Sequence, residues 1–303
     1  MGKKRIILVL MSILIVIGGC TMNKKDEATK EEKKNDNAEI VSVQDYTGEG
    51  FHGEYNQTTD RIVKRNYEEL ELIANEYMQE NFKTDVEITS YIPLENIAVV
   101  LFKTKKEPVI HSSFYVMVDH KDRSLIHQFN AHEGEVEQSI VSGLYHYAYE
   151  EEFNKFNEKI EELKDKYPVV SLTEEAHEKT YISMYREKNY YISMSSLSVP
   201  SVLDFYKETN EVISKEEVRT MFELIESSEE ISKGIVIRLY MKEAGTHSDK
   251  KLLNNLIDDM SKFSFLLKGS YTINLMSNDV LKKSGHGVEN EDLSIIFENK
   301  EEK

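Results

Sequence analysis

KGIVIRLYMK (233–242) and GSYTINLM (269–276), separated by EAGTHSDKKLLNNLIDDMSKFSFLLK (243–268), decide the fold. The outer segments are short and rich in β-branched and aromatic residues, so Gly234–Lys242 and Gly269–Met276 read as strands. Between them Leu252, Leu253, Leu256, Ile257 and Met260 recur at three- and four-residue steps. Ser248 stands where a cap would open a helix over Asp249–Phe263. Strand, helix, strand favours a parallel pair joined by a right-handed crossover.

Upstream, Ser214-Lys215-Glu216-Glu217 has the spacing of a capping box ahead of Val218, Met221, Phe222 and Ile225. Pro200 suits the first turn of a helix to Thr209, Asn189–Met194 reads as a strand, and Thr173–Arg186 as partly helical. Pro168 closes the preceding segment and sets a soft boundary. Before it the pattern changes. Thr59 stands at the start of a helix reaching about Asn81, with Ile62, Val63, Tyr67, Leu70, Ile73, Ala74, Tyr77 and Met78 on one stripe. Four strand-like runs follow, Val86–Ile92, Ile97–Lys103, Val109–Asp119 and Ser124–Asn130, with Pro93 and Pro108 between runs and Lys121-Asp122-Arg123 as a hairpin turn. Helices are expected over Glu133–Glu152 and Phe153–Tyr167. The fold class is therefore α+β: a helix plus an antiparallel meander in the first half and strand–helix–strand in the second. There is no internal repeat.

The amino end is of another kind. MGKKRIILVLMSILIVIGGC (1–20) has a basic start, an apolar run from Ile6 to Ile17 and a small-residue exit, the layout of a signal peptide. The run falls short of the ~20 apolar residues that span a bilayer. Ile17-Gly18-Gly19-Cys20 resembles the lipobox of bacterial lipoproteins, which implies cleavage before Cys20, diacylglycerol on its sulfur and acylation of its new amino group. Buried acyl chains give ~0.8 kcal/mol per CH₂, and two chains suffice for stable anchoring. Residues 21–39 mix five lysines with six acids and hold one large apolar side chain, Met22, so they read as a disordered tether. The expected organisation is a signal peptide (1–19), lipidated Cys20 and tether (20–39), a first α+β half (40–168) and a second α/β half (169–303), the two halves forming one unit.

Composition narrows the partners. The 303-residue chain carries a net charge of −17, and without Lys3, Lys4 and Arg5 it holds 35 basic side chains against 55 acidic. Such a surface repels nucleic acid and anionic polymers and suits cations, basic peptides or neutral ligands. Cys20 is the one cysteine, so disulfides and thiolate zinc sites are excluded from the folded part.

VSVQDYTGEGF (41–51), GLYHYAYEEEF (143–153), KGIVIRLYMK (233–242) and GSYTINLMSNDVLKK (269–283), behind the lipobox, resemble a Gram-positive lipoprotein family known only as domain of unknown function 1672. The resemblance covers nearly the whole mature chain. It implies one family-wide unit anchored by lipid at the outer face of the cell membrane, and it brings no activity, ligand or catalytic residue.

Chemical motifs are few. Gly48, Gly50 and Gly53 form a literal G-x-G-x-x-G, but Asp45-Tyr46-Thr47 separates it from the weak strand at Ile40–Val43, and the turn reading is preferred to a nucleotide site. His132-Glu133-Gly134-Glu135-Val136 lacks the second histidine of a zinc protease. His111, His120, His127 and His132, with Asp119 and Asp122, hold metal-ligand types close in sequence; solvated histidines are preferred. Neither Ser142-Gly143 nor Ser284-Gly285-His286-Gly287 has the spacing of a serine elbow. The 17 tyrosines, among them Tyr145, Tyr147, Tyr149, Tyr181, Tyr185, Tyr190 and Tyr191, suit core packing first and a sugar or peptide groove second. No catalytic, metal or cofactor site is assigned. The expected role is non-catalytic binding or structural work on the outer membrane face, with a cell-surface protein, peptide or glycan as partner. The alternatives are the solute-binding lipoprotein of a transporter and, behind it, a hydrolase.

Overall fold

Alternation builds the second half around one strand pair. Ile235, Ile237 and Leu239 are buried on one face of residues 233–241, and Tyr271, Ile273 and Leu275 on the matching face of 269–276. The pair is parallel, with Ile237 beside Ile273. Burying such a side chain contributes about 1.5–3 kcal/mol, so this row is a main anchor of the fold.

The computed structural model describes residues 39–180, 184–209, 212–228, 231–288 and 292–299. The leader, Cys20 and the tether as far as residue 38 lie outside the described residues. The order is β1 (Ile40–Ser42), α1 (Gln57–Arg65), α2 (Tyr67–Phe82), β2 (Val86–Pro93), β3 (Ile97–Thr104), β4 (His111–Asp119), β5 (Ser124–Leu125), α3 (Glu135–Ala148), α4 (Glu150–Lys166), β6 (Val169–Val170), α5 (Glu174–Lys179), β7 (Tyr185–Arg186), β8 (Tyr190–Met194), α6 (Pro200–Glu208), α7 (Lys215–Ser228), β9 (Lys233–Met241), α8 (Lys250–Met260), β10 (Gly269–Met276), β11 (Asp279–Leu281), β12 (His286–Gly287) and β13 (Leu293–Asn299).

The fold is α+β, with three sheets among the described residues. β2-β3-β4-β5 is the antiparallel meander. The mixed sheet runs β13-β10-β9-β8-β7, with β6 sharing the β8 edge of β9; only β9–β10 is parallel, and α8 makes the crossover. The third sheet pairs β1 with β11 and β11 with β12, so Ile40–Ser42 is bonded to the carboxyl-terminal half of the chain.

Several boundaries differ from the sequence expectation, each for a local reason. The helix expected from Thr59 to Asn81 is two helices. Asn56, not Thr59, caps the first: its Oδ1 accepts from the backbone N–H groups of Thr58 and Thr59, each at 3.0 Å. Asn66 breaks the run, its side chain donating to the Ile62 carbonyl. The break expected after Glu152 falls at Tyr149. Asp249 rather than Ser248 caps α8, accepting from Leu252 N–H at 2.6 Å. The run Ser124–Asn130 is a strand only to Leu125, with one further bridge from Asn130 to Tyr115. Phe129 leaves the ladder to stack between Tyr77 (3.8 Å) and Phe114 (4.4 Å).

α3 joins the two large sheets. Ser113 donates to Glu135 and Ser112 bonds Ser139 on the meander side. On the other side Gln138 donates to Ser193, and Met194 N–H to Ser142 Oγ. Gly143 permits the approach: a Cβ there would lie 2.9 Å from Ile110 and 3.1 Å from Tyr185. One apolar core runs through both halves. A smaller one, around Tyr46, Leu172, Ala176, Tyr240 and Val280, lies beneath α5.

Candidate functional site

Where the exposed face of the meander meets the α5–β7 arm, a cleft of about 370 Å³ opens. Three strands supply one wall. Pairing puts Glu87 of β2 opposite Lys103 of β3, and Lys103 opposite His111 of β4, so the three stand in a row. At Thr89 a bulge shifts the β2 register, and Thr89 and Ser90 face the opening. Bulges re-aim side chains in this way beside many functional sites. The Thr89 hydroxyl donates to the Leu101 carbonyl at 3.2 Å, and Leu101 forms an apolar floor.

The other wall is α5 and β7, bearing His177, Glu178, Lys179 and Arg186. α5 has six residues and needs outside support. Thr173 caps it, accepting from Ala176 N–H and donating to the Tyr46 carbonyl, while Ala176 is buried in the small core. Gly48 lies against its end. With φ at +81°, and a Cβ that would fall 2.7 Å from that of Lys179, the position favours glycine on two counts. Arg186 is oriented by an Nη1 bond to the Thr180 carbonyl at 2.8 Å.

The cleft has local electrostatics of its own. Burial, and then the charges of Arg186, His111 and Lys188, lower the His177 imidazole to about 3. Burial, and then Lys103, lower His111. Three lining cations, Lys103, Lys179 and Arg186, stand against one lining acid, Glu178. Glu87 lies 3.5 Å from Lys103 and Glu175 lies 2.5 Å from Lys179, both at exposed positions where ion pairs are weak.

The model of a family described as a protein of unknown function (DUF1672) matches residues 33–303. The chain belongs to this family. A DUF1672 family protein from Staphylococcus aureus subsp. aureus Mu50, known from its crystal structure, shares 16% identity and superposes with a TM-score of 0.68 over 87% of this chain and 99% of that one. At that identity the likeness speaks for the fold. No curated protein matches the sequence.

In this DUF1672 chain the sequence candidates scatter. His111 enters the cleft. His120 Nε2 lies 2.9 Å from Thr59 Oγ1, but Thr59 is fully buried and already donates to the Glu95 carbonyl, so the pair locks α1 onto the meander. His127 sits between Glu76 (3.0 Å) and Glu69 (3.6 Å), and the Glu76 hydrogen bond raises it. His132 opens α3, its N–H bonded to Glu135. Among the described residues no three His, Asp or Glu side chains form a metal-holding group. The glycine turn carries positive φ at Gly48, Gly50 and Gly53, and in the helix after it Asn56 already takes the N–H groups of Thr58 and Thr59, which a bound pyrophosphate would need. Ser142 and Gly143 join α3 to its neighbours, and the Gly285 carbonyl accepts from Tyr240.

Tyr145, Tyr149 and Tyr190 are core residues, Tyr147 donates to the Ile213 carbonyl, and Tyr185 stacks on His146 at 4.4 Å. Tyr181 lies outside the described residues. An open depression of about 510 Å³ lies over Tyr145 and Tyr149, with Glu223 and Glu226 at its side. His177 and Lys179 escape sequence reading because α5, with six residues, is too short to show periodicity, and Arg186 because β7 has two. The one local signal is the cap Thr173 placed before His177.

Proposed function

We propose that this DUF1672 protein is a lipid-anchored, extracytoplasmic protein that binds a ligand without converting it. The cleft between the meander and the α5–β7 arm carries the binding part of this reading; the leader ending in Cys20 carries the anchoring part. A volume of about 370 Å³ is within the range of small-molecule sites. Catalysis is disfavoured by the groups that line it. An imidazole lowered to about 3 is a weak base at neutral pH, and the Thr89 hydroxyl is committed to a carbonyl. The transporter alternative needs two α/β lobes hinged about a cleft. Here α3 bonds both sheets and one core runs through them, which supports a fixed cleft.

The anchor is tested by labelling cells with a clickable fatty acid and comparing wild type with Cys20→Ala. Loss of label and shedding of the chain into the medium are expected. Unchanged label and membrane retention overturn the anchored reading.

A further inference from the structure

We propose that the cleft takes a small organic oxyanion, a carboxylate- or phosphate-bearing molecule, held by Lys103, Lys179 and Arg186 with His111 and His177 as further donors. This rests on the reading of the cleft as a ligand site. The whole chain, at −17, repels anions, yet this cleft gathers three cationic side chains. Screening confines distant surface charge to within about 8 Å at physiological ionic strength, while lining cations act at contact.

The geometry supplies what an oxyanion needs. Lys103 and His111 are cross-strand neighbours on one wall, and Arg186 and His177 stand on the other. Arg186 presents a planar fork of donors suited to carboxylate and phosphate, and its Thr180 bond fixes that fork's direction. Ser90 adds a hydroxyl, and Leu101 gives an apolar carbon skeleton a surface to cover. The groups facing His177 are Arg186, His111 and Lys188, and Lys103 faces His111. An oxyanion between them offsets these like charges, and each neutral imidazole has one ring N–H to donate. Glu178 at the lining, and Glu87 and Glu175 at the rim, oppose it.

The test uses the chain from residue 20 with Cys20→Ala, which holds the whole 37–303 unit. Its histidines are ¹³C-labelled, and imidazole resonances are followed by NMR at constant ionic strength. The probes are inorganic phosphate, citrate, a neutral trisaccharide and a basic tetrapeptide. Saturable movement of His111 and His177 by phosphate or citrate is expected, with His127 and His120 unmoved; which of the two binds more tightly distinguishes a phosphate from a carboxylate ligand. Arg186→Gln and Lys179→Gln, each checked for unchanged melting temperature, should weaken binding about tenfold. Movement caused only by the sugar or the peptide overturns the oxyanion and leaves a ligand cleft. No movement with any probe overturns both. Equal drift of all histidines, or affinity unchanged in both variants, also overturns the proposal.

Discussion

The meander and the mixed sheet are built from equally good strands but find their partners differently. In the meander each strand pairs with the next, β2 with β3, β3 with β4 and β4 with β5. In the mixed sheet β8 and β9 pair across two helices, β9 and β10 across a third, and the small sheet beside it brings Ile40 to Leu281. Local pairs cost little loop entropy and follow from adjacency; distant ones depend on every intervening element being in place. The cleft lies beside the meander, which supplies six of its lining residues; α5 supplies three and the mixed sheet one, Arg186 of β7. The two sheets also share their core, so damage to the row that many elements meet should be global, while damage at the meander's edge should be local.

The sharpest break is at the centre of the mixed sheet. Ile237→Ala removes buried atoms from the row shared with Ile273, and a loss of about 3 kcal/mol in urea unfolding is expected. Met117→Ala, on a partly exposed meander position, should cost under about 0.5 kcal/mol. Equal losses at the two sites would remove the distinction.

Acid should act through a side chain at the junction. His146 of α3 is stacked between Phe153 and Tyr185, 3.6 Å from Glu187. Burial lowers the imidazole from 6.5 to about 4. The unfolded chain therefore binds the extra proton first, and stability falls as pH drops from 6.5 toward 4. By pH 5 the loss from this group is about 2 kcal/mol. Burial raises Glu187, which acts in the opposite sense, so the comparison is between wild type and His146→Phe. Melting temperatures from pH 7 to pH 5 should fall less steeply in the variant. Parallel slopes would refute the assignment.

Gly48→Ala tests whether the glycine turn supports α5. The positive φ and the close approach to Lys179 predict a loss of about 1–2 kcal/mol. Amide exchange should rise over 173–180 and stay unchanged over β3 and β4. Asn56→Ala should do less than Gly48→Ala. Removing the α1 cap should cost about 1 kcal/mol by urea unfolding, with little effect on the cleft.

What was legible follows the same division. β2, β3 and β4 are placed to within two residues by their alternation and their prolines, and β9 and β10 to within one by the change of period from two to 3.6 and back, while α8 ends at Met260, three residues short of the expected Phe263. The errors fall where side chains compete for backbone groups. Asn56 and Asp249 took caps assigned to Thr59 and Ser248, and Asn66 divided a continuous apolar stripe. Phe129 left its strand, and its ring stacks on Tyr77 and Phe114 instead. The four histidines that lie close in sequence are four separate contacts. His111 instead meets His177, which lies 66 positions further on.

The sequence by itself determined the fold class, the strand–helix–strand unit and the absence of cysteine from the chain after Cys20, because periodicity and composition are local properties. The tertiary structure decided that Ile40 pairs with Leu281, that the turn at Gly48 supports α5, and that an acidic chain holds a cleft with three lining cations. Charge at a site depends on which side chains are brought within a few ångströms of one another, and that is set by packing between distant segments, which the net charge of a chain averages away.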